Sequence, residues 1–249
     1  MFEVTHRGRV AVLQMTHGKA NAMDVEFCRA LSTQIEACRQ SPAGALVLTG
    51  RDRIFSAGVD LPRLLEGGAA YAREFLPAMN HAFETLFTFP KPLVVAVNGH
   101  AIAGGCVMAC CGDYRMMARD QGRIGIPELL VGVPFPVVPL EIVRFATPPQ
   151  HVQALIYRGL TVTADEALRY GLIDVVTDPD RLVDEAIGVA ESLAAVPYEA
   201  FHLTKRLLRE PAVRRMHEGG PIHDVVQDAW AGEAVQSAVR DYVARTLKR

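Results

Sequence analysis

Neither charge of one sign nor cysteine is plentiful in this chain. Lys and Arg total 26 against 28 Asp and Glu in 249 residues, a formal net charge of −2. That balance argues against a nucleic-acid-binding surface, which needs a basic face. Five cysteines are an odd number for a disulfide framework, and no second pair stands at the spacing of a zinc site. Cys28 and Cys38 fall on one helical face, while Cys106, Cys110 and Cys111 cluster. All five are expected as buried free thiols that act as small apolar side chains, the other reading being a nucleophilic Cys106, which no histidine close in sequence supports. No apolar run approaches the roughly 18 residues that cross a bilayer. The opening Met1-Phe2-Glu3-Val4-Thr5-His6 lacks the shape of a secretory leader. The closing Arg245-Thr246-Leu247-Lys248-Arg249 lacks a peroxisomal tripeptide. The cytoplasm is therefore the expected location.

Half of the residues are hydrophobic, which supports one sizeable core. Apolar runs over 9–15, 45–49 and 93–97 predict buried strands, the last two of the parallel type with both faces covered. Shorter strands are expected over 113–118 and 173–177, and strand and loop over 123–133. Asp24 reads as an N-cap ahead of Cys28, Leu31, Ile35 and Cys38 at helical spacing. A second helix is predicted over 64–88, with the Gly67-Gly68 pair loosening its start. Others are predicted from Gly104 and over 141–145 and 150–157. Thr163 with Glu166 forms a capping box for the next, which Gly171 closes. Residues 135–139 carry two prolines and are expected to be irregular. Helices over 181–195, 198–209 and 225–247 complete the chain. Strands and helices alternate to about residue 177 and the remainder is helical. That pattern predicts an α/β core over 1–195 and a helical C-terminal region over 196–249.

Two glycine segments about fifty residues apart carry the chemistry. The first is Phe55-Ser56-Ala57-Gly58-Val59-Asp60-Leu61, and the second is Asn98-Gly99-His100-Ala101-Ile102-Ala103-Gly104-Gly105-Cys106. Each follows an apolar run and precedes a helical stretch. Such joints aim free backbone N–H groups into a crevice. Two facing joints can hold one oxygen that gains negative charge, and small residues let the donors approach closely. Taken singly, Gly-Gly at a helix start is more often packing or capping. Glu128, in Ile126-Pro127-Glu128-Leu129-Leu130, follows in an otherwise apolar stretch. Apolar surroundings raise a carboxyl pKa toward neutrality, where it can exchange protons. A salt-bridged glutamate at a strand end is an equally good local reading. The combination points to chemistry beside a carbonyl group.

These segments, with Cys111-Gly112-Asp113-Tyr114-Arg115 and Ala164-Asp165-Glu166-Ala167-Leu168-Arg169-Tyr170-Gly171-Leu172-Ile173-Asp174, occur in order over nearly the whole chain. In this the sequence resembles the enoyl-CoA hydratase/isomerase (crotonase) superfamily. The resemblance implies a spiral of ββα units with a helical C-terminal trimerisation region, assembled as a homotrimer or a hexamer. It implies an acyl-CoA thioester substrate, with coenzyme A as part of the substrate and no separate cofactor or metal. The N–H groups of Val59 and Gly104 would form the oxyanion hole. Lys19, Ala20, Ala22, Ala57 and Leu61 would line the coenzyme A site, and Arg63 would pair with a phosphate. Asp60 is expected as a helix cap.

The departures bear on the reaction. Hydratases of this superfamily hold water between two glutamates. The first of those positions is Val107 here, and the second is Glu128. The turn that follows, Gly132-Val133-Pro134-Phe135-Pro136, has two prolines with no N–H to offer. One carboxylate suits a proton shuttle between two carbons, as in the single-glutamate Δ3,Δ2-enoyl-CoA isomerase branch. A hydratase that recruits His100 or Glu141 as second base, and an inactive acyl-CoA-binding protein, are the competing expectations.

Overall fold

A computed structural model describes residues 1–246. Its strands are β1 (Phe2–Arg7), β2 (Val10–Met15), β3 (Ala45–Thr49), β4 (Ile54–Ser56), β5 (Leu93–Val97), β6 (His100–Ile102), β7 (Tyr114–Ala118), β8 (Ile124–Gly125), β9 (Thr161–Val162) and β10 (Val175–Thr177). Its helices are α1 (Val25–Gln40), α2 (Leu61–Phe87), α3 (Gly104–Cys110), α4 (Glu128–Val131), α5 (Val137–Ala146), α6 (Pro149–Tyr157), α7 (Ala164–Tyr170), α8 (Leu182–Ala194), α9 (Tyr198–His217), α10 (Pro221–Ala231) and α11 (Glu233–Thr246). None of these helices is long and apolar enough to cross a membrane.

The strands form two sheets. The larger runs β1-β2-β3-β5-β7-β10 and the smaller β4-β6-β8-β9. Among the described strand pairs only the β1–β2 hairpin and the β8–β9 pair are antiparallel. The chain repeats one layout three times: a strand in the large sheet, a strand in the small sheet, then a helix. β3-β4-α2, β5-β6-α3 and β7-β8-α4 are the three turns. This is the ββα spiral that the sequence resemblance implies.

Side-chain alternation explains why the large sheet is covered on both faces. Leu46, Leu48, Leu93, Val95 and Val97 belong to the main core with α1, α2 and α3. Val47, Val94 and Ala96, one residue out of phase, meet Leu182, Ala186, Ile187 and Ala190 of α8. The C-terminal helices share the main core through Ala212, Met216, Trp230, Val235 and Val239. A buried ion cluster docks α9. Lys205 Nζ lies 2.6 Å and Arg209 Nη2 2.7 Å from the two oxygens of Asp113, ahead of β7.

Several local expectations change. β1, β4, β6 and β9 were not expected, the last three because two- and three-residue strands carry no readable period, whereas β8 falls within the strand and loop expected over 123–133. Helix α5 begins at Val137, inside the stretch expected to be irregular. Proline is tolerated in a first helical turn, where N–H groups have no intrahelical partner, and Pro139 occupies that turn. α9 runs past residue 209 to His217 across Pro211. The helix expected over 225–247 is two helices, α10 and α11, with Gly232 extended between them (φ −75°, ψ 150°). Leu247 lies outside the described residues. α2 starts at Leu61, three residues early, and kinks at Gly68, whose φ of 57° and ψ of −148° suit glycine.

Candidate active site

The small sheet sets the site. β4, β6 and β8 lie side by side and parallel, with Ser56 opposite Ala101 and Ala101 opposite Ile124. Their C-terminal ends therefore deliver three successive strand-to-helix junctions to one place. The first junction holds Ala57 to Asp60, the second Ala103 and Gly104, and the third Ile126 to Glu128. The three pieces of chemistry read from the sequence sit at equivalent points of a repeated unit.

Close backbone packing joins the first two junctions. Gly58 has φ +81°, and a methyl there would stand 2.6 Å from Ile102 O and 3.1 Å from Gly104 N. A methyl on Gly105 would lie 2.4 Å from Ser56 O. Both positions exclude a side chain. Ala103, at φ 53°, is a left-handed non-glycine residue immediately before α3. Such a conformation persists only where its surroundings enforce it.

The loop that carries Lys19, Ala20 and Ala22 is laced onto the first junction. Ala57 N–H donates to Ala20 O (2.9 Å), Met23 N–H to Gly58 O (2.8 Å) and Asp60 N–H to Met23 O (3.0 Å). Ser56 Oγ–H donates to Asn21 O (2.8 Å), and Asn21 Nδ2–H to Phe55 O (3.0 Å). Met23 and Val59 form a parallel bridge. In that pattern the neighbours of Val59 bond to Met23, so the N–H of Val59 itself points away from it. Gly104 is the first residue of α3, where an N–H has no intrahelical acceptor. Neither amide donates to a main-chain acceptor outside the regular elements among the described residues.

A cavity of about 420 Å³ opens along these junctions. Ala20, Ala22, Ala57, Val59 and Leu61 line it, with Ile102 and Ala103 from the second junction. Pro127, Glu128, Val131 and Val133 form another wall, and Trp230 and Tyr242 close it from the C-terminal helices. Gly104, next to Ala103, is buried and is not among the lining residues. Lys19 and Arg63 are exposed and lie outside the lining. The guanidinium of Arg63 is 3.5 Å from Glu26 and 5.6 Å from the Tyr71 ring centroid. Asp60 caps α2, its carboxylate accepting from Arg63 N–H (2.9 Å), as the sequence predicts.

Glu128 is the first residue of the short helix α4 rather than part of a strand or open loop. It is 8% exposed, and its Oε2 has no hydrogen-bond partner among the described residues. Burial pushes its carboxyl up from 4.5 to about 8, and its own main-chain N–H offsets part of that rise. The salt-bridged alternative is thereby excluded for this residue. An unpaired buried carboxyl is costly for folding, and such groups concentrate where protons are moved.

The other candidates stand elsewhere. Glu141 is buried between Arg144 (2.7 Å) and Arg215 (2.6 Å) and does not line the cavity. His100 is also outside the lining, and its Nδ1 accepts from Arg123 N–H (3.3 Å). Val107 is buried in the main core. All five cysteines are free and buried. The Cys110 thiol and burial together hold Cys106 well above the usual thiol range, which suits an apolar wall and not a nucleophile.

Sequence reading missed Trp230 and Tyr242, because nothing local marks them and only the return of α10 and α11 onto α2 and α4 brings them in. Val131 and Val133 were legible as apolar neighbours of Glu128 but not as cavity walls.

Residues 5–243 match the sequence profile of the enoyl-CoA hydratase/isomerase family, and the chain belongs to that family. It is 32% identical over 219 residues to a probable enoyl-CoA hydratase of Rhizobium meliloti, covering 86% of this chain and 81% of the relative. A Mycobacterium tuberculosis protein, described as an enoyl-CoA isomerase in one structure and as a probable enoyl-CoA hydratase in another, superposes with TM-scores of 0.82 and 0.83 at 30% and 29% identity, over 93% and 99% of this chain and 98% of the other in both cases. The human mitochondrial Δ3,Δ2-enoyl-CoA isomerase shares the fold with a TM-score of 0.91 at 24% identity, over 99% and 98% of the two chains.

Proposed function

We propose that this member of the family moves a double bond of a 3-enoyl-CoA into conjugation, giving the 2-enoyl-CoA. The observation that carries the reading is the unpartnered carboxyl of Glu128 on an apolar cavity that, among the described residues, holds no second glutamate. The thioester oxygen lies between the N–H groups of Val59 and Gly104. Glu128, ionised, takes a proton from C2. The electron pair spreads over a dienolate whose oxygen the two amides hold, each such donor lowering the barrier by about 2.7–4 kcal/mol by analogy with a protease. Glu128, now neutral, returns the proton to C4, and the carboxylate is regenerated. Atoms and charge balance with one residue acting as base and then acid.

Water activation is poorly supported. Hydration needs a second group to hold the nucleophile, and Glu141 and His100 are engaged away from the cavity. Asp60 lines it but is committed to capping α2. The coenzyme A portion is assigned to the open side formed by Ala20, Ala22, Ala57 and Leu61, with the exposed Lys19 and Arg63 offering charge to its phosphates; no further cofactor is required. Assembly as a homotrimer or hexamer is part of the proposal, supported by Leu203, Leu207 and Leu208 exposed along α9. Light scattering at micromolar concentration tests it, and a monomer would refute it.

The test of the reaction uses absorbance of the conjugated thioester. A 3-enoyl-CoA is expected to give a rising signal that the Glu128→Gln variant does not produce. Falling signal from a 2-enoyl-CoA would mean hydration, and binding with neither change would mean an inactive carrier.

A further inference from the structure

The cavity has a graded exposure that fixes its direction. At one end Ala57 is exposed and Ala20 and Ala22 are half-buried. At the other, Val131 is 8%, Val133 3% and Trp230 2% exposed. A ligand that enters by the open end and places its carbonyl at the junctions must run its remaining carbons past Glu128 toward Trp230. Three contacts hold this end shut. The indole Nε1–H donates to Pro134 O (2.9 Å), in the turn after α4. The main-chain oxygen of Trp230 accepts from the buried Gln236 of α11 (3.0 Å). α11 lies directly on the end of α4, where a methyl on Gly132 would stand 2.6 Å from Ala238 Cβ. The ring is thus held to the turn after α4 and its main chain to α11, and the ring cannot swing aside without breaking its part-buried hydrogen bond to Pro134.

We propose that Trp230 is the end wall of the acyl-chain channel and sets the upper limit of chain length. This rests on the reading of the cavity as an acyl-CoA site. A rigid aromatic wall discriminates by steric exclusion, and one methylene in an apolar pocket changes kcat/KM by about ten- to two-hundredfold. The substrate class that follows is acyl-CoA of short to medium chain length, since a cavity of about 420 Å³ walled at this end by the buried Trp230 leaves little room for a longer tail.

Trp230 is the single tryptophan of the chain, so its emission reports on this end alone. Wild-type protein would be titrated with coenzyme A, with acetyl-CoA and with saturated acyl-CoAs of four to sixteen carbons, while calorimetry follows binding. Coenzyme A and acetyl-CoA are expected to bind without moving the emission. Longer chains should shift or quench it once they reach the ring, and affinity should fall beyond that length. Binding of every chain length with unchanged emission would overturn the end-wall role while leaving the acyl-CoA reading intact. No binding by any acyl-CoA would overturn both. As an independent readout, Trp230→Ala should raise kcat/KM for a twelve-carbon relative to a six-carbon 3-enoyl-CoA by about tenfold or more. An unchanged ratio in the folded variant would contradict the proposal. The emission titration needs no variant, so misfolding of Trp230→Ala does not shield the claim.

Discussion

Gly58 and Gly104 approach so closely that a methyl on Gly58 would lie 3.1 Å from the Gly104 nitrogen and 2.8 Å from Ala103 Cβ. The two proposed oxyanion donors are thus held in register by an absent side chain. Gly58→Ala must both leave a φ of +81° and push the second junction away. The expected result is a fall in kcat on the order of a hundred- to a thousandfold, the range for loss of one oxyanion donor. Circular dichroism should show the variant folded, and unaltered kcat would remove these amides from the mechanism.

Glu128 acts first as a base and must be ionised in the free enzyme. With its carboxyl raised by burial to about 8, kcat/KM for 3-enoyl-CoA should climb with pH and level off above that value. A pH–rate profile that is already flat from pH 6 upward would contradict the assignment.

The same group links stability to pH. Its folded pKa is raised, so the native chain keeps a proton that the unfolded chain releases above 4.5. The stabilising contribution is complete below 4.5 and is lost as pH rises through about 8. Glu128→Gln has no such titration, so its stability relative to the parent should increase across that window, reaching a few kcal/mol at the alkaline end. Urea denaturation at a series of pH values checks this, and parallel curves for the two proteins would be the contrary result.

Asp113 answers two buried cations, Lys205 at 2.6 Å and Arg209 at 2.7 Å. Asp113→Asn leaves both without their counter-charge, and the loss should be about 3–5 kcal/mol. Because this cluster docks α9 to the core ahead of β7, the variant should also expose α9 to limited proteolysis. A melting temperature within a degree of the parent would show that the cluster contributes little.

Much of the fold was legible where apolar runs were long. The 45–49 and 93–97 strands read as buried on both faces because every residue but Thr49 is apolar, and both core clusters draw on them. The capping box at Thr163 and Glu166 is present as read. Most of the small sheet was invisible because Ile54–Ser56, His100–Ile102 and Thr161–Val162 are too short to show alternation, and their pairing depends on partners far along the chain. That same sheet aligns the three junctions, so sequence could name Val59, Gly104 and Glu128 without showing that they occupy equivalent turns of one spiral. Trp230 was out of reach for another reason. Its role is set by the path of two C-terminal helices, one of which the sequence did not separate from the next.

The most direct test follows a label through one turnover. A 3-enoyl-CoA carrying deuterium at C2 is converted by the wild-type protein, and the product is analysed by mass spectrometry and NMR. Transfer by Glu128 alone predicts a conjugated 2-enoyl-CoA with deuterium delivered to C4. A product whose C4 hydrogen comes entirely from solvent, or a 3-hydroxyacyl-CoA in its place, would contradict it.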